Sequence, residues 1–294
     1  MRIATNMLFN QTMVNINKRY ADYYRINETV STGKTINRHS DDPVGSGKVL
    51  GYRSLLSSLE QYTKNIDTGI TWLSYTETSL SDAESIFTEA KSLAVQMDNG
   101  TYNEEQRAML AVQVEQLYER LMQTGNTKVV DRYIYSGFKT DVKPFTRDDN
   151  YNITYSGDNN AIKIDISQIT EVQINTTGQA AFIDGTNGFD VLRDLRTALL
   201  ENDSDAIGAS IEGIDDVLNQ IITERATVGT QIRSMESSKT VLASLRLDTE
   251  ELLSNTEDTD LVAAITELNE NEVAFEAALQ SSSMIFGLSL VNYL

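Results

Sequence analysis

The sequence contains no cysteine, one histidine and two prolines in 294 residues. Without cysteine, disulfide bonds, thiolate metal sites and cysteine nucleophiles are excluded. A zinc site or a Ser–His–Asp triad would need His39, which lies in a polar connector where an ordinary surface histidine is the simpler interpretation. Proline removes a backbone N–H and clashes with the preceding helical turn, so its scarcity favours long helices.

Long apolar runs are also missing. Nothing approaches the roughly 18 consecutive apolar residues of a membrane span, and residues 1–10 lack the basic, apolar and small-residue parts of a cleavable signal peptide. We therefore expect no membrane span and, if the protein leaves the cell, export that does not depend on such a peptide. The net charge of −19 argues against nucleic acid, whose phosphates would be repelled.

The charge is unevenly distributed. Residues 1–50 hold seven Lys or Arg against four Asp or Glu, whereas residues 201–294 hold four against eighteen. The two oppositely charged ends could attract one another or could attract surfaces on neighbouring copies. Alternatively, the charges belong to solvated helix faces.

The first helical pattern has the spacing of a coiled-coil seam, in alternating steps of three and four. Its apolar positions are Met13, Ile16, Tyr20, Tyr23 and Val30. Asn27 fills the remaining seam position, where a polar residue weakens pairing but fixes register. Gly33 ends the pattern, as glycine commonly does after a helix.

Further helical patterns run from 44 to about 98, from 103 to about 130, from 189 to 201 and from 205 to about 253. Asn99-Gly100 marks a turn, and Asn103 with Gln106 has the spacing of a capping box. Between 139 and 188 the pattern changes to short alternating runs separated by Gly, Asn and Asp, which predicts a small β-rich insert. Because about 50 residues bury little core alone, we expect the insert to pack against the helices.

The last helical pattern begins near Asp258 or Asp260, either of which is suited to cap it. Its apolar positions, interrupted by Glu272 and Ser282, are Leu261, Ile265, Leu268, Phe275, Leu279 and Phe286. Two seam-bearing terminal helices form either an intramolecular coiled coil or polymerisation segments that become ordered on assembly. The periodicity leaves both interpretations open.

No motif predicts a catalytic, cofactor or metal site. The run from Gly45 to Lys48 fails as a phosphate-binding loop, because Asp42 stands where its first glycine belongs and Val49 follows the lysine. Asp41 and Asp42 are adjacent carboxylates in a connector, where caps and salt bridges are commoner than cation sites. We expect a protein that is not an enzyme and that binds no cofactor.

Several motifs resemble the bacterial flagellins and their hook-associated relatives. They are MRIATNM at residues 1–7, STGKTIN at 31–37, SDDP at 40–43, YIYSGFKT at 133–140, residues 225–236 and SLVNYL at 289–294. The resemblance covers both arms and leaves the insert unmatched. His39 stands where a small residue or proline is expected.

The resemblance implies a mainly α, flagellin-like fold whose long antiparallel coiled-coil arms pair the two termini. Segments 1–42 and 255–294 would form the core of a tubular assembly, 43–138 and 189–254 a rod of long helices, and 139–188 an outer insert. The seam residues of both terminal helices would make subunit contacts. Arg38, Asp41, Asp42 and Pro43 would set the angle between core and rod, because Pro43 restricts Asp42 to extended conformations.

In function, the resemblance implies an extracellular adaptor between hook and filament. Its partners would be copies of itself, another hook-associated protein, flagellin and a cytosolic export chaperone. The chaperone would dock, as a helix in a groove, on Leu261, Ile265, Leu268, Phe275 and Leu279. The alternatives are filament flagellin itself, an unrelated secreted coiled-coil binding module, and an enzyme with its site in the insert.

Overall fold

The computed structural model describes the backbone of residues 2–98 and 102–291, and the side chains of 7, 9–98 and 102–284. The helices are α1 (Arg2–Thr32), α2 (Pro43–Asp98), α3 (Glu104–Gly125), α4 (Gly178–Phe182), α5 (Gly188–Glu201), α6 (Ser204–Glu257) and α7 (Leu261–Val291). The strands are β1 (Lys128–Val129), β2 (Arg132–Tyr133), β3 (Phe145–Arg147), β4 (Ile153–Tyr155), β5 (Lys163–Asp165) and β6 (Glu171–Gln173). The predicted fold class is confirmed, since long helices dominate and the strands form small hairpins.

The chain divides into two compact units. The terminal unit comprises Met1–Ser58 and Ser244–Leu294, and the central unit comprises Leu59–Ala243. Both boundaries fall inside long helices, α2 and α6. The division predicted from the sequence, at 42/43, 138/139, 188/189 and 254/255, stays a prediction.

In the terminal unit, α1 packs along α7 in the antiparallel sense. Tyr20 and Tyr23 contact the ring of Phe275, whereas Ile26 lines the same surface pocket as Ala264. Later residues of α1 therefore meet earlier residues of α7. The two terminal helices are paired, as the resemblance to the flagellins implies.

Helix boundaries follow local signals in the sequence. Gly33, at φ +70°, ends α1 in the left-handed conformation that glycine adopts without strain, and Pro43 is the first residue of α2. Asn103 and Gln106 form the predicted capping box. Of the two candidate caps of α7, Asp260 is the one used: its Oδ1 accepts two first-turn amides at 2.9 and 3.2 Å.

Two helix ends differ from the prediction, and one predicted turn lies outside the residues that the structure describes. Helix α3 ends at Gly125 rather than near 130, because Lys128 pairs with Tyr133 in the β1–β2 hairpin. Helix α6 continues to Glu257 rather than ending near 253. The predicted turn at Asn99-Gly100 lies outside the described residues.

The central unit has one core, built where α2, α3, α5 and α6 turn their apolar faces toward each other. Fully buried members of that core are Leu73, Phe87, Val114, Leu195 and Ile214. Burying each such side chain stabilises the fold by about 1.5–3 kcal/mol.

The three antiparallel hairpins, β1–β2, β3–β4 and β5–β6, are too small to be stable alone. Phe145 of β3 anchors its hairpin in the helical core. Its ring centroid lies 5.0 Å from that of Phe189 in α5, 5.3 Å from Tyr155 and 5.8 Å from Phe182. A Cβ at Gly178 would lie 2.6 Å from Phe145 Cζ, so only glycine allows this approach. The insert thus packs on the helices, as expected.

Two tyrosine hydroxyls join the β3–β4 hairpin to α3 and to the segment that follows β2. The hydroxyl of Tyr118 in α3 donates to the Tyr151 carbonyl at 2.9 Å, and that of Tyr155 donates to the Tyr135 carbonyl at 2.8 Å. Burial raises the pKa of both Tyr118 and Tyr155 to about 12. Both hydroxyls therefore stay protonated donors at neutral pH.

Candidate assembly surface

The face of α7 that packs on α1 repeats every seven residues. Besides Ala274, which is half-buried next to Phe275, its buried or half-buried positions are Ala264, Leu268, Asn271, Phe275, Ala278 and Ser282, in steps of four and three. This is the spacing of a two-helix coiled coil. The buried hydroxyl of Ser282 donates to the Ala278 carbonyl at 2.6 Å, so this polar group costs little inside the seam.

On the α1 side, the predicted seam differs from the observed one by one position at Asn27. Ile16, Tyr23 and Val30 are partly buried, as a seam requires. The prediction that Asn27 occupies a seam position is wrong for this helix pair, because Asn27 is exposed and the neighbouring Ile26 is buried. Burial of an isoleucine is favourable, whereas burial of an unpaired amide is costly.

Phe275 is the aromatic centre of the seam. Its ring centroid lies 5.8 Å from that of Tyr20 and 6.3 Å from that of Tyr23, and the Tyr23 ring is nearly parallel to it. Such aromatic pairs add about 0.5–1.5 kcal/mol beyond the burial of their area. Phe275 therefore holds the two terminal helices at a defined register.

The helix pair is also apolar on its outside. Five of the positions predicted as subunit contacts are between 39% and 55% exposed: Met13, Tyr20, Leu261, Ile265 and Leu279. Exposed neighbours on the same helices include Val14, Tyr24, Val262 and Val273. Contiguous exposed apolar surface is typical of interaction sites, which makes this helix pair the candidate assembly surface. The side chain of Phe286, another predicted contact, lies outside the described residues.

The connector after α1 is bound to the α6–α7 junction by backbone hydrogen bonds. Thr35 N–H donates to the Glu257 carbonyl at 2.7 Å, and Thr259 N–H donates to the Gly33 carbonyl at 3.0 Å. Lys34 and Asp258 form the antiparallel bridge between them. The two chain segments that lead into the terminal helices are therefore fixed to each other.

One buried carboxylate, Glu257, organises the side chains around this bridge. Its Oε1 accepts from Lys34 Nζ at 2.8 Å and from Arg53 of α2 at 2.5 Å. The Glu257 side chain is 7% exposed, so the cations replace the water it has lost. No local pattern in the sequence predicts this cluster, because Glu257 lies far from Lys34 and Arg53 in the chain.

The predicted connector residues form a compact turn. Arg38 pairs with Glu28 of α1 at 3.0 Å. Asp41 Oδ2 accepts the N–H of Arg38 at 2.8 Å, and Asp42 Oδ1 accepts an α2 first-turn N–H at 3.0 Å, next to Pro43. Their role in setting an angle between core and rod remains a prediction.

Within the described ranges, no group of three or more His, Asp or Glu side chains is arranged to hold a metal ion. Among the same residues, no helix combines the length and apolar character of a membrane span.

Comparisons with known proteins bear on this helix pair and its connector. The sequence pattern of the family described as "Bacterial flagellin N-terminal helical region" matches residues 3–140. Flagellar hook-associated protein 3 of Escherichia coli (strain K12) is 27% identical, over 99% of this chain and 98% of its own length. Flagellin of Listeria monocytogenes is 23% identical, over 96% of this chain and 95% of its own.

Solved structures agree with this grouping. The crystal structure of Bacillus cereus FlgL superimposes with a TM-score of 0.60 at 25% identity, covering 69% of this chain and 99% of the other. Filament flagellin is the weaker match of the two alternatives within the family. Residues 3–140 therefore match the N-terminal helical region of the bacterial flagellins, and the chain is similar over almost its whole length to flagellar hook-associated protein 3.

Proposed function

We propose that this chain is the adaptor of the hook–filament junction, where copies form a ring between another hook-associated protein on the hook side and the first flagellin subunits. The observation that carries the proposal is the paired α1 and α7, which keep apolar side chains on their outside in a chain similar to hook-associated protein 3 from end to end. The adaptor is extracellular once assembled and has a structural role.

In this proposal, assembly buries the outside of the helix pair. Subunit contacts would involve the seam positions of both terminal helices: Met13, Ile16, Tyr20, Tyr23, Val30, Leu261, Ile265, Leu268, Phe275, Leu279 and Phe286. A large apolar side chain stabilises by about 1.5–3 kcal/mol on full burial. Each half-exposed side chain would therefore contribute roughly half of that when assembly buries the rest of it. Several such contacts per copy offset the loss of freedom on association.

The connector would fix the direction of the long helices relative to the packed terminal helices. Arg38, Asp41, Asp42 and Pro43 form a turn in which side chains hold the backbone N–H groups. We expect the turn to fix the angle at which α2 leaves the terminal helices. The insert 139–188 would face outward, where its sequence does not affect the tubular contacts.

Export also fits the structure. The chain would leave the cytosol unfolded, through the flagellar secretion channel and without a cleavable signal peptide. A cytosolic chaperone would protect α7 by binding Leu261, Ile265, Leu268, Phe275 and Leu279. Of these, Leu268 and Phe275 are half-buried against α1, so the chaperone must bind before the helices pair or must displace α1.

Deletion of the gene tests the proposal. An adaptor deletion should leave bare hooks on the cells and intact flagellin monomers in the medium. Loss of all flagellin antigen, with hooks and their caps still present, would identify the chain as filament flagellin. Unchanged filaments and motility, in a genome with no second copy, would contradict a role in the flagellum.

A further inference from the structure

The connector between α1 and α2 separates two surface pockets of the terminal unit. Side chains of an extended segment alternate between its two sides. Accordingly, Lys34, Ile36 and Arg38 line one pocket, Thr35 lines the other, and Asn37 borders both.

The first pocket, which we call the basic pocket, has a volume of about 270 Å³. Its charged lining consists of Lys34, Arg38 and Arg53, with Glu257 as the only carboxylate. Glu257 is already bonded to both Lys34 and Arg53 through one oxygen, and those two cations remain partly exposed. Arg38 is paired with Glu28 of α1, so the surplus positive charge that the pocket presents to solvent comes from Lys34 and Arg53, two cations that share one carboxylate.

The second pocket, which we call the acidic pocket, has a volume of about 340 Å³. Arg25 is its only cation, and its carboxylates are those of Glu28, Asp41, Asp260 and Glu267. It opens beside the first turns of α7, a helix that contains four glutamates and no Lys or Arg between 261 and 291. The surface on this side of the connector is therefore negative.

We propose that the basic pocket of one copy receives the acidic pocket side of the next copy, so that the connectors stack head to tail around the assembly. This inference rests on the proposed function and adds the contact by which copies recognise each other. A contact between two different faces of the same chain is heterologous, and it closes into a ring or continues as a helix. Both arrangements belong to a tubular lattice.

Charge complementarity selects a second copy as the occupant. Within one copy the connector lies between the two pockets, and among the residues that the structure describes the Arg38–Glu28 ion pair is the only one that joins their linings. The remaining charges of each pocket face solvent, where those of a second copy can pair with them. A small anion would occupy the basic pocket alone and leave the opposite charge unpaired. The contact also gives polarity to the assembly, because the two pockets are not interchangeable.

The lack of cysteine allows a clean cross-linking test. Leu50 lines the basic pocket and Ala263 the acidic one, and both are exposed, so Leu50→Cys and Ala263→Cys introduce single thiols without changing any charge. The two variants are co-expressed in cells that lack the native gene, and isolated flagella are treated with a short bis-maleimide. A cross-linked dimer should form from the mixture and from neither variant alone.

Charge reversal then tests the physical basis. Glu267→Lys, made in the Ala263→Cys chain, should lower the dimer yield about fivefold, the effect of losing an exposed ion pair. Arg38→Glu in the Leu50→Cys chain should restore the yield. The matched control is Glu270→Lys, which makes the same charge change on α7 outside the pocket and should leave the yield unchanged.

The outcomes separate this contact from the proposed function. Flagella that contain both thiol variants but give no mixed dimer would overturn the contact and leave the adaptor role standing. Dimers formed equally well by a single variant, or equal loss of yield for Glu267→Lys and Glu270→Lys, would also overturn it. Absence of the parent protein from isolated flagella would overturn the adaptor role together with the contact.

Discussion

The ring of Phe275 in α7 lies nearly parallel to that of Tyr23 in α1, with the two planes 13° apart. This contact joins the beginning and the end of the chain. It also uses a residue that we expect an export chaperone to bind. If a chaperone binds α7 as we propose, its binding would compete with the pairing of the terminal helices for the same face of α7.

Replacement of Phe275 by alanine should loosen the helix pair. We expect Phe275→Ala to destabilise the pairing by about 1–2 kcal/mol, because it removes a half-buried ring and its aromatic contacts. Faster hydrogen exchange along α1, with unchanged exchange in the central unit, is the measurement. The control is Val273→Ala on the exposed side of α7. Equal exchange in the two variants would contradict a central role for Phe275 in the seam.

Neutralisation of Glu257 should release the connector. Glu257→Gln keeps the shape of the side chain but removes the charge shared by Lys34 and Arg53. We expect a cost of about 1–3 kcal/mol, limited because both cations can be rehydrated. Limited proteolysis should cut residues 33–42 faster than in the parent. Glu267→Gln makes the same charge change at an exposed site and should leave the cleavage rate unaltered; if it accelerates cleavage equally, the buried ion pairs are not what holds the connector.

Truncation of Phe145 should unfold the hairpins from the helical core. Phe145→Ala removes a fully buried ring surrounded by three other aromatic rings, and we expect a loss of about 3–5 kcal/mol in the free energy of unfolding. Urea denaturation of the protein measures it. Phe138, six-tenths exposed on a nearby loop, provides the control, since Phe138→Ala should change stability by no more than about 0.5 kcal/mol. Similar losses for both would show that the hairpins do not share the core.

Glu224 should make the central unit less stable at neutral pH than in mild acid. Burial, with a smaller contribution from the charge of Asp184, raises the pKa of the Glu224 carboxyl above its ordinary value. The folded state then holds the proton more tightly than the unfolded state. The resulting stabilisation is complete below the unfolded-state pKa and is lost as pH rises through the folded-state pKa. Glu224→Gln should therefore raise stability at neutral pH relative to the parent protein.

Glu115 is a second glutamate whose pKa is shifted in the direction opposite to that of Glu224. The hydrogen bond from the Tyr151 hydroxyl, and then the charge of Arg196, lower the pKa of its carboxyl. Its stabilising effect is present above the unfolded-state pKa and disappears as pH falls through the folded-state pKa. Glu115→Gln should thus cost stability at neutral pH and cost little in acid. Because both substitutions remove one negative charge, urea midpoints that shift in the same direction would point to net charge as the cause.

Helical periodicity predicted the long helices, because a stripe of apolar side chains is repeated over many turns. Of the ten predicted seam positions whose side chains the structure describes, five are partly buried and five are exposed. The periodicity placed Asn27 in the seam where the structure buries Ile26. A heptad pattern in one helix does not decide between two adjacent residues for a seam position. Which of the two is buried depends on the partner helix. The exposed outer residues Leu261 and Leu279 fitted the pattern equally well, since α7 is apolar around more than one face.

The ion pairs of the connector could not be predicted. Lys34 and Arg53 lie more than 200 residues before Glu257 in the sequence, and a single lysine, arginine or glutamate carries no local signal of its partner. The hairpins were predicted only in part for a related reason. Strands β3 and β6 have three residues each, too few for an alternating pattern to stand out, and their position depends on Phe145 entering a core made by distant helices.

Immunogold labelling of intact flagella tests the central claim most directly. Antibody against this chain is applied to isolated hook–filament complexes and its position is read by electron microscopy. A junction adaptor predicts gold confined to the boundary between hook and filament, with none along the filament. Gold distributed along the whole filament would contradict the account and identify the chain as flagellin, and complexes without gold, prepared from cells that express and export the chain, would remove it from the flagellum.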